Sequence, residues 1–217
     1  MANLILTTLN WVPIASRGYV RDLRIRWALE EAGLAYQVNS VSFRDKNFEG
    51  FSHQPFGQVP WLSDGNISIF ESGAILLYLA ERSTVLMPDD INGRYEVIEW
   101  VFAALNSIES ASLPWSLFKL TKDTTNTPGR IRLEVHLQDR LKHLENILIT
   151  RKWLGRDFSI ADILMVDVLR NIERFEGLKE FPACQAYVSR ATARPHFLKA
   201  HADQIRHFET VDIVSLK

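Results

Sequence analysis

The residues best arranged to do chemistry lie in the stretch 58–81, QVPWLSDGNISIFESGAILLYLAE. Val59-Pro60 opens a short apolar run, and an X-Pro bond is the one kind of peptide bond that adopts cis at modest cost. A cis turn there directs the Val59 N–H and C=O outward, where they can pair with another extended backbone. Asp64-Gly65 suits the positive φ of a tight hairpin, and a second short strand then runs straight into Glu71-Ser72 and a helix. The first N–H groups of a helix have no intrahelical partner and form the positive end of its dipole, which suits a carboxylate. Ser72 adds a hydroxyl there, and Glu71 adds a negative charge for an ammonium group. Together they fit a small peptide-like anion with an α-amino-acid head and an extended amide backbone.

The elements that must position these groups follow from the pattern on either side. LILTTL at 4–9 is a β-friendly apolar run and reads as a buried first strand. A loop marked by Pro13 and Gly18 leads to helical spacing over 20–32, with Val20, Leu23, Trp27 and Ala28 on one face and Arg21, Arg24 and Glu31 largely opposite. Gly33 is a suitable stop, and 35–43 reads as a second strand, so a right-handed βαβ unit is expected. The polar segment 44–52 reads as a short irregular helix. After Ser72, residues 73–80 carry no charge and are apolar nearly all round, so that helix must be covered on more than one side.

Periodicity lapses over 83–93, and everything beyond reads as helix. A long run over 95–120 should be kinked or interrupted at Leu113-Pro114. Thr127-Pro128 opens the next helix, in which Ile131, Val135, Leu141, Leu144 and Leu148 recur at helical intervals. Only the tail 211–216 is ambiguous. The expectation is an α/β domain over 1–83 followed by an all-α domain over 93–217.

Composition excludes several classes. Hydrophobic residues make up 47%, enough for a sizeable core, and 25 Lys+Arg against 26 Asp+Glu argue against a nucleic-acid footprint. A single cysteine, Cys184, allows no intrachain disulfide, and cytoplasm is the natural compartment. The N-terminus lacks the pattern of a signal peptide, and no apolar stretch approaches a membrane span. The six histidines (53, 136, 143, 196, 201, 207) show no i,i+4 pair or carboxylate-rich spacing, so no metal site is expected. There is neither a glycine-rich phosphate loop nor a Gly-x-Ser-x-Gly elbow. Cys184 reads as a buried small residue, and Arg17, Arg21, Arg24 and Arg26 read as a solvated face with ion pairs.

In the helical half, Phe158-Ser159-Ile160-Ala161-Asp162 precedes an apolar run. Ser159 can cap the new helix while Asp162 reaches back to the Ser159 N–H, and Phe158 with Ile163 can form a hydrophobic staple. Val59-Pro60 and Glu71-Ser72, seen with this capping box, resemble the cytosolic glutathione S-transferase family in a bacterial-type form. In that family the capping box serves folding, so the resemblance implies a structural role for Asp162. The resemblance implies a thioredoxin-like N-terminal domain followed by an all-helical domain. It implies glutathione as co-substrate, held by Val59, Pro60, Glu71 and Ser72, with Gln58 toward its glycine end. His53, Arg44 and Lys46 are further candidates for the glycyl carboxylate. A homodimer, a detoxification role, a hydrophobic electrophile and an electrophile pocket between Trp11 and the helix carrying Trp115 and Phe118 follow from the same resemblance.

The family activates the glutathione thiol through a donor near the end of the first strand or the start of the first helix. Counted back from Gly33 without gaps, the position used by serine-type members falls on Tyr19, and that of the cysteine-type falls on Arg21. A gap in the long loop would shift the match to Ser16, Asn10 or Trp11, and Arg17-Gly18 resembles the Arg-Gly of tyrosine-type members. Tyr19 is the first candidate and Ser16 the second, since either hydroxyl can donate to a thiolate. Two function classes stay open: a transferase that conjugates or reduces with glutathione, and a non-catalytic glutathione-transferase-like binding or regulatory protein. The Ser-Ser-Cys stretch of the isomerase branch is absent.

Overall fold

A computed structural model describes residues 4–42 and 53–215, with side chains as far as residue 210. The helix expected over 44–52, and with it Arg44 and Lys46, lies outside the described residues. Contacts divide the chain into two compact units, Met1–Leu86 with Pro195–Lys217, and Met87–Arg194.

The first unit holds β1 (Leu4–Leu9), α1 (Asp22–Glu31), β2 (Tyr36–Val41), β3 (Trp61–Asp64), β4 (Ile67–Phe70) and α2 (Ser72–Ala80). The sheet order is β2-β1-β3-β4. β1 and β2 are parallel and joined through α1, whereas β3 runs antiparallel to β1 and β4 antiparallel to β3. Strand alternation puts Leu4 and Leu6 on one face, with Leu62 opposite Leu6; these are buried, as are Leu23, Trp27 and Leu29 of α1 and Ile75, Leu76 and Leu79 of α2. α1 stops at Gly33 (φ +64) in a Schellman motif: the Gly33 N–H donates to Glu30 O at 3.2 Å and the Leu34 N–H to Leu29 O at 2.9 Å. Gly65 (φ +58) supplies the positive φ of the hairpin between β3 and β4.

One expectation is corrected in this unit. Arg24 and Arg26 are not on a solvated face; they are 1% and 2% exposed. The helix α8 (Pro195–Ser215) packs along α1 and covers the side that polar residues were expected to leave open. It does so with Phe197, Ala200, Gln204 and Phe208, buried residues at three- and four-residue spacing. By contacts α8 groups with the sheet unit, and the ambiguous tail is helical through Ser215.

The second unit is helical: α3 (Ile91–Ala103), a π-helical segment (Ala104–Glu109), α4 (Ser110–Leu120), α5 (Pro128–Leu148), α6 (Ile160–Glu173) and α7 (Pro182–Thr192). The break in the long run falls on the π segment, upstream of Pro114, which sits within α4. Pro114 has no N–H to offer the preceding turn, and the Ser110 hydroxyl donates to the Asn106 carbonyl at 2.5 Å across the junction. In α5, Thr127 caps and Pro128 starts the helix as expected, but Ile131 and Val135 are exposed; the buried face is Leu137, Leu141, Leu144 and Leu148. α6 is buried continuously from Ile160 to Arg170 and is the centre of this unit. Glu145 of α5 accepts from the Ala183 and Cys184 N–H groups at 2.8 and 2.9 Å, capping α7 from another helix. Cys184 is buried, and burial with the nearby Glu145 carboxylate pushes its thiol far above the ordinary range. Among the described residues no helix is long and apolar enough to cross a membrane.

Candidate functional site

The sheet topology brings three loops to one end. β1 ends where β3 begins, with Thr7 opposite Trp61, and β4 ends beside the same residue, with Phe70 opposite Trp61. The loop after β1, the turn before β3 and the start of α2 therefore emerge together. These carry Ser16 and Tyr19, then Gln58, Val59 and Pro60, then Glu71 and Ser72.

The Val59–Pro60 peptide is cis, and Val59 lies beyond the last β1–β3 ladder pair. The turn before it is shaped by a residue the sequence reading passed over. Gln54 is 3% exposed, and its Oε1 accepts from the Phe56 N–H at 2.6 Å and the Gln58 N–H at 3.2 Å. A side-chain oxygen bonded two residues onward mimics a backbone turn and fixes the approach to Val59. Gln58 itself is exposed, as is His53, whose ring centroid lies 6.2 Å from that of Trp61.

At α2, Glu71 occupies φ +69, ψ +120, an uncommon region for a residue with a side chain, and its side chain makes no capping bond. Its carbonyl accepts from the Ile75 N–H at 2.9 Å, so the helix is under way while the carboxylate stays exposed. Ser72 is 5% exposed, and its Oγ accepts from Arg24 Nη1 at 3.1 Å. Arg24 is the second missed residue: a buried cation of α1 that ties α1 to the start of α2. A hydroxyl that accepts from a guanidinium keeps its own proton for another acceptor. No spacing rule flags Arg24, since its partner is 48 residues away.

The loop after β1 is built by main-chain bonds. The Asn10 N–H donates to Val41 O at 2.9 Å, a short 3₁₀ turn spans Ile14–Ser16, and the Tyr19 N–H donates to Ser16 O at 3.1 Å. Ser16 and Tyr19 are both half-buried on that loop, and Gly18 between them takes φ +79. α1 then begins on Asp22, fully buried and paired with Arg26 at 2.7 Å. Burial raises the Asp22 carboxyl above its ordinary range, against the pull of Arg26.

The residues expected to line an electrophile site are placed as follows. Trp11 is 44% exposed on the first unit. Trp115, in the helical unit, is 3% exposed, donates from Nε1 to Glu134 Oε1 at 3.1 Å and packs edge-on against Phe175. Those are the contacts of a packing residue. Phe118 is half-buried with the Arg130 guanidinium 5.8 Å over its ring. In the same unit the capping box forms: the Ser159 hydroxyl accepts from the Ala161 N–H at 3.3 Å, and Asp162 Oδ2 accepts from the Ser159 N–H at 2.9 Å. Asp162 Oδ1 also accepts from the Leu154 N–H at 3.0 Å and from the Tyr187 hydroxyl at 2.7 Å. It is a structural hub remote in sequence from the groups above. No group of three His, Cys, Asp or Glu among the described residues is arranged to hold a metal ion.

The "Glutathione S-transferase, N-terminal domain" family matches residues 15–81 and the "Glutathione S-transferase, C-terminal domain" family matches residues 120–195. Glutathione S-transferase F11 of Arabidopsis thaliana is 31% identical over 81% of this chain and 90% of its own. The disulfide-bond oxidoreductase YfcG of Escherichia coli is 29% identical over 79% of this chain and 86% of its own. A glutathione transferase from Pseudomonas putida, solved with one glutathione disulfide per subunit, superposes with a TM-score of 0.80 at 27% identity, covering 92% of this chain and 90% of that one. The chain belongs to the glutathione S-transferase family.

Proposed function

We propose that this protein is a glutathione transferase whose glutathione lies at the end of the sheet where β1, β3 and α2 meet. The observation that carries this is the start of α2: an exposed Glu71 at positive φ followed by a Ser72 hydroxyl held by Arg24, with the cis Val59–Pro60 turn alongside. In this reading the γ-glutamyl carboxylate takes the Ser72 hydroxyl and the first N–H groups of α2, and its ammonium takes Glu71. The cysteinyl backbone pairs with Val59, and Gln58 faces the glycine end. The thiol proton leaves, and a hydroxyl from the loop after β1 donates to the resulting thiolate, Tyr19 first and Ser16 second. In conjugation the sulfur attacks an electrophilic carbon: a C–S bond forms, the bond to the leaving group breaks, and that group departs with the electron pair. Trp11, on the same loop, is the candidate wall for a hydrophobic electrophile, with Trp115 and Phe118 kept as candidates from the family resemblance. A homodimer and a cytoplasmic, detoxifying role belong to the same proposal.

Reduction of a disulfide is the second reading, favoured by the similarity to the E. coli oxidoreductase. There the thiolate attacks one sulfur of the disulfide and expels the other as a thiolate, leaving a mixed disulfide. The named relatives are enzymes, which favours turnover over a purely binding role. Calorimetric titration with glutathione, followed by assays with an activated aryl chloride and with a mixed disulfide, tests the proposal. Tyr19→Phe should raise the pKa of the bound thiol and lower turnover about 10²-fold, in the range of a lost acid–base or oxyanion donor. If Tyr19→Phe is silent and Ser16→Ala has that effect, the role passes to Ser16. No glutathione binding at millimolar concentration would end the proposal.

A further inference from the structure

The last helix reaches the loop that must present the thiol-activating hydroxyl, and it grips that loop at both ends. His207 Nε2 lies 2.9 Å from the carbonyl of Leu9, the final residue of β1. A carbonyl only accepts, so this nitrogen carries the proton and donates. Gln204, fully buried, donates from Nε2 to the carbonyl of Val20 at 3.0 Å and to Asp22 Oδ1 at 2.6 Å, just where α1 begins. Between these ends, His201 lies against Gly18: a Cβ on Gly18 would come within 2.5 Å of His201 Nε2, and Gly18 also holds φ +79. Three residues of α8 thus meet the loop at its start, its middle and its end.

Other contacts also attach the helix. α8 is fastened to α1 further back by Phe197 edge-on to Trp27 (4.9 Å between centroids), His196 to Glu31 at 3.1 Å and Lys199 to Glu30 at 2.6 Å. Gln204 and His207 reach main-chain carbonyls at the two ends of the loop, and Gln204 also meets the Asp22 carboxylate at the start of α1. A catalytic hydroxyl misplaced by about 1 Å costs about 10²-fold in rate, so fixing a loop with little secondary structure of its own has direct value.

We propose that Gln204 and His207 are positioning residues for thiol activation, clamping residues 10–20 so that the donating hydroxyl meets the glutathione sulfur. The inference rests on the glutathione transferase reading but not on whether Tyr19 or Ser16 is the donor. The test uses the full chain, the far-ultraviolet absorbance of bound glutathione thiolate against pH, and kcat and KM with an activated aryl chloride. Wild type must first lower the thiol pKa; if it does not, the reading beneath the inference fails, independently of the clamp. Given that, His207→Phe should raise the bound thiol pKa by about one unit and lower kcat about tenfold, with KM for glutathione within about twofold. His207→Gln, whose amide can donate to Leu9 O, should restore most of the loss. Gln204→Met gives the same readout if His207→Phe melts abnormally. Folded variants that keep the wild-type thiol pKa, or a His207→Gln no better than His207→Phe, would overturn the clamp. So would loss of cooperative melting in both variants, since the residues would then be holding the fold.

Discussion

The starts of α2 and α6 use the same two residue types, an acid and a serine, and do opposite things with them. At α6 the serine comes first: Ser159 is extended (φ −150), 1% exposed, and caps the helix while Asp162, three residues on, reaches back. Every polar group there is turned inward, and Tyr187 and Leu154 take what remains of the Asp162 carboxylate. At α2 the acid comes first. Glu71 stands at the cap position with φ +69 and no capping bond, and Ser72 lies inside the helix, bonded to Arg24. The reversed order accompanies a helix start whose charge is exposed and whose serine hydroxyl, buried against Arg24, keeps its own proton for another acceptor. Backbone strain accompanies the open one, a cost of about 1–3 kcal/mol that ordinary helix starts avoid.

Substitutions should separate the two starts cleanly. The largest effect is expected at the closed one. Asp162→Ala strands the Tyr187 hydroxyl and two buried N–H groups, so chemical denaturation should show a loss of about 4 kcal/mol, at about 1–3 kcal/mol for each unsatisfied group. Glutathione affinity per folded molecule should not change; weakened binding in a fully stable variant would break the comparison. At the open start, Glu71→Ala should weaken glutathione binding by roughly 10- to 100-fold, the worth of a charge-assisted bond of about 1.5–3 kcal/mol, with thermal stability unchanged or slightly raised. Titration calorimetry reads the first quantity and a melting curve the second. Smaller again is Ser159→Ala, which should cost about 1 kcal/mol of stability with near-normal kinetics. An inactive yet fully stable Ser159→Ala would mean that the closed start takes part in function after all.

The smallest expected effect concerns the buried acid at the foot of the clamped loop. Burial raises the Asp22 carboxyl above its ordinary value of 3.8, so the folded chain holds that proton more tightly than the unfolded chain does. Its contribution is fully present below pH 3.8 and is lost as pH rises through the folded value. Asp22→Asn cannot titrate, so its stability measured between about pH 4 and 7 should decline less with pH than that of wild type. An identical slope would show that Arg26 and Gln204 cancel the effect of burial.

Much of the sheet unit was legible because its signals are local. Val59-Pro60, the Asp64-Gly65 turn, and Glu71-Ser72 before an uncharged apolar helix are each decided by residues within a few positions, and the capping box at Ser159 is of the same kind. Arg24 and Arg26 were misread for the opposite reason. A helix-face argument treats arginine as solvent-facing, whereas Arg24 is buried against Ser72 of α2 and Arg26 against Asp22, whose carboxylate Gln204 of α8 also meets. Ile131 and Val135 failed similarly: both repeat at helical intervals, yet the face of α5 that is buried runs through Leu137. Gln54 and Gln204 carry no signal in their neighbourhoods, because an amide's importance depends on which N–H or C=O it meets.

By itself the sequence determined the βαβ start, the cis-capable turn, the order of acid and serine at α2 and the helical second half, since these follow from φ preference, periodicity and capping over a few residues. Only the tertiary structure decided that three loops open at one end of the sheet, that a buried arginine holds Ser72, and that the last helix returns to grip the loop after β1. Those outcomes depend on strand order and on contacts between residues as far apart as 9 and 207, where burial and hydrogen-bond satisfaction, not local preference, set the energy.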